Sequence, residues 1–146
     1  MDADVRDAVE ADAPELAAIA DSPVDVMRNV VHDRTVRVAE RRRGGADPNV
    51  DADVGVDDPN LLGFVSFDVS GLTVHVTQLG GSVAACERLL AEPVRFAATE
   101  GMTVEFVVSE ADENAREAVE RAGFDADGPG PQFDGAPTVR YRLDPN

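Results

Sequence analysis

Polar and apolar residues alternate across residues 5–9 (Val-Arg-Asp-Ala-Val) and again across 35–40 and 138–143, the period of strands with one buried face. Between the first two, Leu16, Ile19 and Ala20 and then Val26, Met27, Val30 and Val31 recur at helical spacing. Asp12, with Glu15 three residues on, is close to a capping box for the first of these helices, and Ser22-Pro23 supplies a cap and a first-turn proline for the second. Residues 61–68 and 72–77 read as central strands of a hairpin that turns through Val69-Ser70-Gly71. A helical period then runs from Val83 to Glu100, with Pro93 expected to kink or break it near Glu92. Residues 103–108 form a β-branched strand, and Ala111, Ala115, Ala118, Val119 and Ala122 make a narrow helical face that Gly123 ends. A short strand and a Pro- and Gly-rich loop over 127–137 lead into the last strand. Residues 42–60, dense in Gly, Asp and Pro and without an apolar period, read as a flexible exposed insertion. This order predicts an α/β (α+β) fold in one domain over 1–146, with a mixed sheet of about six to seven strands flanked by about four helices.

Composition narrows the function classes. A length of 146 residues suits one core, and with no Trp, one Tyr and six Phe that core must be mainly aliphatic. The formal net charge of -16 repels nucleic acid and anionic lipid, so neither is an expected partner. All 13 basic residues are Arg, and the chain is rich in Asp, Ala and Val, which predicts adaptation to molar salt, where repulsion between carboxylates is screened. Equal refolding at low and at molar KCl would refute that. An acidic surface of this origin reports the solvent, so it carries no information about a cationic substrate. Cys86 is the single cysteine and His32 and His75 the only histidines, which excludes an intramolecular disulfide, a multi-cysteine zinc site and a His-rich metal site; no metal is expected. The longest apolar run, 61–67, is too short to span a bilayer and the N-terminus is acidic, so a cytoplasmic protein is expected.

The strongest chemical signal is Gln78-Leu79-Gly80-Gly81-Ser82 between a strand and a helix. A Gly-rich turn lets backbone amides approach phosphate and the helix N-terminus adds its dipole, although the same glycines serve a tight turn needing positive φ. Ser82 lacks the Gly-x-Ser-x-Gly elbow of hydrolases and suits a helix cap that also reaches phosphate. His75, on the face opposite Leu72, Val74 and Val76, is the one titratable group of its strand and suited to accept a proton; the alternative is a histidine hydrogen-bonded on the sheet. Cys86 reads as a small buried thiol and Tyr141 as a sheet-packing residue. Residues 47–58 hold alternate oxygen ligands in the manner of a calcium loop but lack its sixth-position Gly, so a solvated acidic loop is expected. Arg41, Arg42 and Arg43 read as a strand-end charge cluster that a phosphate would also suit.

The element order, the Gln78–Ser82 loop and the helix Asn114-Ala-Arg-Glu-Ala-Val-Glu-Arg-Ala-Gly-Phe124 together resemble the GNAT acetyltransferase superfamily. In that family the loop reads Gln or Arg, two residues, Gly, one residue, then Gly or Ala, and binds the pyrophosphate of acetyl-CoA. Gln78 and Gly81 match, and Val83 stands where the second small residue falls. The resemblance implies that acetyl-CoA or another acyl-CoA lies between two splayed parallel strands. Amides of Gly80, Gly81, Ser82 and Val83 would hold the pyrophosphate, the backbone of Val76 and Gln78 would align the pantetheine, and Asn114 would approach its distal part. The family's tyrosine acid falls on Val119, and its strand glutamate is absent, leaving His75 as the base. The implied activity is acetyl transfer to an amine of a small molecule or protein, in a pocket built from residues 22–32 and 127–137. Val83, Val119 and the missing carboxylate leave open a non-catalytic member that senses acyl-CoA or serves as an interaction module. A sheet without the splay would instead indicate an unrelated α/β domain. Strand 138–143, read as an edge, would offer a homodimer contact.

Overall fold

The structure is a computed structural model that describes residues 3–41, 61–132 and 135–145. Its strands are β1 (Ala3–Asp7), β2 (Thr35–Arg41), β3 (Leu61–Ser70), β4 (Thr73–Gly81), β5 (Thr103–Ser109), β6 (Asp125–Pro129) and β7 (Thr138–Leu143). Helices α1 (Ala13–Ala20), α2 (Val24–Asp33), α3 (Val83–Glu100) and α4 (Glu113–Arg121) accompany them. The strands form one sheet in the order β1-β2-β3-β4-β5-β7-β6, antiparallel except between β4 and β5. This is the mixed sheet that the alternation predicts. The insertion expected over 42–60, with its calcium-loop pattern and Arg42 and Arg43, lies outside the described residues.

Each face of the sheet carries its own core. Val65, Phe67, Val74, Val76, Val104 and Phe106 meet the apolar stripe of α3, with α4 alongside. On the other face Val36, Val38, Leu61 and Phe64 meet Leu16 of α1 and Met27 of α2. β3 is buried on both faces, which is why residues 61–67 are almost continuously apolar. Ser82 caps α3 by accepting a hydrogen bond from the Ala85 amide at 3.2 Å, as its position in the sequence implied. α4 ends as expected at Gly123, where φ is +93° and the Phe124 N–H returns to the Val119 carbonyl at 3.0 Å.

Several local expectations give way to tertiary context. Pro93 lies inside a continuous α3, its ring buried against the sheet, so burial of the stripe offsets the bond lost at the Leu89 carbonyl. The hairpin turns at Gly71-Leu72 rather than at 69–71, because φ +62° at Gly71 and the Ser70–Thr73 pairing place Leu72 in the turn, 74% exposed. β7 is interior, between β5 and β6, so the edges open to a second copy are β1 and β6. Ser22 does not cap α2; Pro23 occupies the cap position and the Ser22 hydroxyl donates to the Ala20 carbonyl.

The expected capping box at Asp12 and Glu15 is also replaced. Glu15 accepts the Leu61 amide at 3.1 Å and so ties α1 to β3. Asp12 receives both Arg6 guanidinium nitrogens, at 2.9 and 3.0 Å, and the Val9 amide at 2.8 Å. Burial pushes its carboxyl up, but the Arg6 and Val9 hydrogen bonds outweigh that and hold it below its ordinary value of 3.8. A depressed folded value means that this site adds stability above pH 3.8 and loses it as pH falls through the folded value. Asp12→Asn is therefore expected to cost about 1 kcal/mol at neutral pH, held down by the solvent around Arg6. Urea midpoints of the two proteins should converge below pH 4; a gap that persists there would contradict the assignment.

Candidate functional site

β4 and β5 are in register only from Thr73–Thr103 to Val76–Phe106. The next residue of β4, Thr77, is a bulge, since Ser66 and Phe67 of β3 oppose Gln78 and Val76. Val74 and Val76 face α3, and after the bulge Leu79 resumes that series, so the alternation shifts by one residue. Beyond Thr77 β4 stays paired with β3 as far as Gly81, while β5 stays with β7 as far as Ser109. The two central strands thus diverge, with the splay that the resemblance implies. A cavity of about 470 Å³ fills the V, with Gln78 and Gly80 on one wall, Val107 and Val108 on the other, and Asp112 and Asn114 at the start of α4. A wider groove of about 710 Å³ between β1 and α3 shares no residue with it and gathers only Asp4, Glu87, Arg88, Glu92 and Arg95 as charged groups, with no histidine or cysteine.

The structure divides the expected acyl-CoA residues. Gln78, Gly80, Gly81 and Asn114 line the V. Val76 has a buried side chain and is the last β4 residue in register with β5. Ser82 and Val83 lie just outside the cavity wall, on the first turn of α3, which borders it through Gly81 and Cys86. The Val83 side chain packs against the core. With the Ser82 hydroxyl on the Ala85 amide, the amides of Val83 and Ala84 are the helix donors left without an intrahelical partner.

Gly80 and Gly81 are strand residues rather than a turn. A Cβ on Gly80 would stand 2.8 Å from Ile19 Cγ2 of α1, and one on Gly81 would meet the backbone of Leu62 and Gly63. Close packing of β3, β4 and α1 therefore requires both glycines before any ligand is considered.

His75 lies on the face that carries α1 and α2, between Asp68 of β3 and Glu105 of β5 in cross-strand register. Asp68 is taken by an ion pair with Arg34. Glu105 and His75 line a second cavity of about 300 Å³. Thr77 and Val107 line both cavities, so the groove around His75 opens onto the tip of the V. The Thr77 hydroxyl is 2.7 Å from that of Ser66, which is fully buried. Sequence reading missed Glu105 and Thr77. The alternation of Thr103, Glu105 and Val107 put the carboxylate on one face of β5, but only the parallel register brings it beside His75.

Other candidates have structural roles. The Tyr141 hydroxyl donates to Glu120 at 2.9 Å and accepts from Arg116 at 3.4 Å, beneath α4, and Val119 is wholly buried. Arg41 ends β2. Burial, with the Asp112 charge adding, pushes the Cys86 thiol up to about 12. The folded protein is expected to resist iodoacetamide at neutral pH and to react fully in denaturant; rapid native alkylation would overturn this. Among the described residues no three His, Cys, Asp or Glu side chains converge on a metal position, and no helix is long and apolar enough to cross a membrane.

No family model matches the sequence, and no curated relative does. Solved structures do match it. A protein from Desulfovibrio desulfuricans assigned to the GNAT family of acetyltransferases superposes with a TM-score of 0.69 at 18% identity, over 99% of both chains. NAA60 of Arabidopsis thaliana, in complex with acetyl-CoA, gives 0.71 at 16% over 97% of both. A ribosomal-protein-alanine N-acetyltransferase from Brucella melitensis gives 0.68 at 16%, over 96% of this chain and 98% of that one. The chain has the fold of the GNAT acetyltransferases.

Proposed function

We propose that the protein is an acyl-CoA-dependent N-acetyltransferase that moves the acetyl group of acetyl-CoA onto an amine of a small molecule or protein. The observation that carries this is the V between β4 and β5, bordered by the first turn of α3 and meeting the His75–Glu105 groove at Thr77 and Val107. A pantetheine arm suits the V in length and polarity, and the Val83 and Ala84 amides suit its pyrophosphate. The acceptor nitrogen enters from the groove as an ammonium and loses a proton to the His75 imidazole, whose cross-strand neighbour is Glu105. Its lone pair then forms the C–N bond to the thioester carbonyl carbon, the C–S bond breaks, and the second proton, shed by the nitrogen as it becomes an amide, passes through solvent to neutralise the departing CoA thiolate. No tyrosine reaches the V, so the thiolate departs without that acid. A thiolate is an adequate leaving group in water, and the Thr77 hydroxyl, hydrogen-bonded with that of Ser66, lies where the groove meets the V. The all-arginine acidic composition supports molar salt as the working medium.

The second reading, a non-catalytic acyl-CoA sensor or interaction module, is favoured by the buried Val119 and by the engagement of Tyr141 under α4. Calorimetric titration of acetyl-CoA in molar KCl, with pantetheine lacking the nucleotide as control, tests what the two share. Binding that needs the pyrophosphate is expected. Sustained CoA release with one amine then removes the non-catalytic reading, whereas no binding removes the enzyme and the sensor and leaves the interaction module.

A further inference from the structure

With 29 carboxylates and 13 arginines, most pairings are expected to be satisfied, yet among the described residues Arg41, Arg88, Arg116 and the two arginines of β7 show no hydrogen-bonded carboxylate. Arg6, Arg28, Arg34, Arg95 and Arg121 each donate to a carboxylate. The two arginines of β7 do not. Arg140 Nε approaches Glu105 Oε1 at 3.6 Å, within ion-pair range but too far for a hydrogen bond, and that buried N–H has no acceptor. Arg142 is exposed, and neither of its cross-strand neighbours, Glu105 and Asp125, forms an ion pair with it among the described residues.

Both arginines lie on the sheet face that carries the proposed acceptor groove, one strand beyond the residues that line it. In register, Arg142 opposes Glu105 and Arg140 opposes Val107, the residue shared by the two cavities. Val139, Tyr141 and Leu143 pack toward α4, so Arg140 and Arg142 extend from the opposite face, the one that carries His75. The chain leaving β6 crosses this face. A Cβ on Gly130 would lie 3.1 Å from Val107 Cγ1, and the Thr138 hydroxyl donates to the Pro131 carbonyl at 2.5 Å. Backbone therefore covers the β7 side of the groove, and Arg140 lies one strand beyond the lining residues Glu105 and Val107.

Charges across this sheet face run from His75 through Glu105 to Arg140 and Arg142. Neighbouring strands are about 4.8 Å apart, so the arginines lie one strand beyond the carboxylate and within the span of a single amino acid. Resting on the acetyltransferase reading above, we propose that the acceptor is a small amine with an anionic group a few bonds from its nitrogen, an amino acid or close analogue. Glu105 and His75 take the ammonium end, and the planar forks of Arg140 and Arg142 take the carboxylate. A plain amine would leave the Arg140 Nε–H unsatisfied and the two arginines unneutralised. The pairing also gives an anionic group a local cationic site on a chain whose overall field repels it.

The test compares amino acids with their carboxamides as acceptors, by CoA release at the lowest KCl concentration that keeps the protein folded. The expected preference in kcat/KM is about tenfold or more for the free carboxylate, the worth of one charge-assisted pair. Arg140→Gln should collapse that ratio toward unity chiefly through KM, and Arg140→Lys, which keeps charge but not the fork, should restore it in part. Equal use of acid and amide by the wild type overturns the proposal, as does a ratio that survives both substitutions. A second arm needs no turnover: calorimetry of an N-acetyl amino acid and its carboxamide with the protein. Tighter binding of the acid, lost in Arg140→Gln, supports the anion site even where no acceptor is acetylated and the acetyltransferase reading falls. Equal binding of the two sinks the anion site even where acetyl-CoA is bound.

Discussion

Gly81→Ala is expected to lower stability by about 3 kcal/mol or more and to abolish acetyl-CoA binding with it. Two independent penalties combine at this position. Its φ of +119° lies where a side chain is strained, and the new Cβ would stand 2.5 Å from the Gly63 Cα and closer still to the Leu62 carbonyl oxygen. Both are backbone atoms of β3, the strand buried on its two faces, so no rotamer change relieves the contact. β3 and β4 must separate, and the wall of the V moves with them. Gly71→Ala is the control, because φ there is also positive, at +62°, but nothing lies within 4 Å of the added Cβ. It should cost only the conformational penalty, about 1 kcal/mol. Urea denaturation of both variants reads the difference; comparable losses would show that φ alone, and not the approach of β3, demands glycine at 81.

That contrast explains what the sequence could and could not reveal. Alternation and helical spacing follow from local geometry, so the strands, the helices, the Ser82 cap and the Gly123 terminus were all legible. The Gly80-Gly81 pair was visible too, but its reason was not, since Ile19, Phe64, Leu62 and Gly63 reach it only after α1 and β3 have packed. Pro93 misled for the same cause: local rules see a broken helix, whereas the buried stripe of α3 holds it continuous. β6 was half hidden in a Pro- and Gly-rich stretch because it is a fully exposed edge with no apolar face to betray it. In the site, His75 was legible as the one titratable group of β4. Glu105 was not, because its nearness to His75 depends on a parallel register between positions 30 apart in the chain. The bulge at Thr77 lay beyond reach as well, as it exists only in the mismatch between β3 and β4.

His75→Ala is expected to lower kcat by about 100-fold to 1,000-fold while leaving acetyl-CoA affinity within about twofold of the wild type. The split follows from where the residue stands. His75 lies in the groove cavity and not among the residues of the V, so removing its ring deletes proton acceptance without touching the wall that would hold the pantetheine. The sign of the pH dependence follows from its role as base. Only the neutral imidazole accepts the ammonium proton, so wild-type turnover falls toward acid, and the variant should lose that acid limb and respond to pH through the amine alone. Glu105→Gln separates orientation from base chemistry. If Glu105 only supports the ring, kcat falls less than in His75→Ala and the acid limb persists. If instead Glu105→Gln removes the limb and His75→Ala keeps it, the base is the carboxylate, and the histidine serves to hold the sheet face between Asp68 and Glu105.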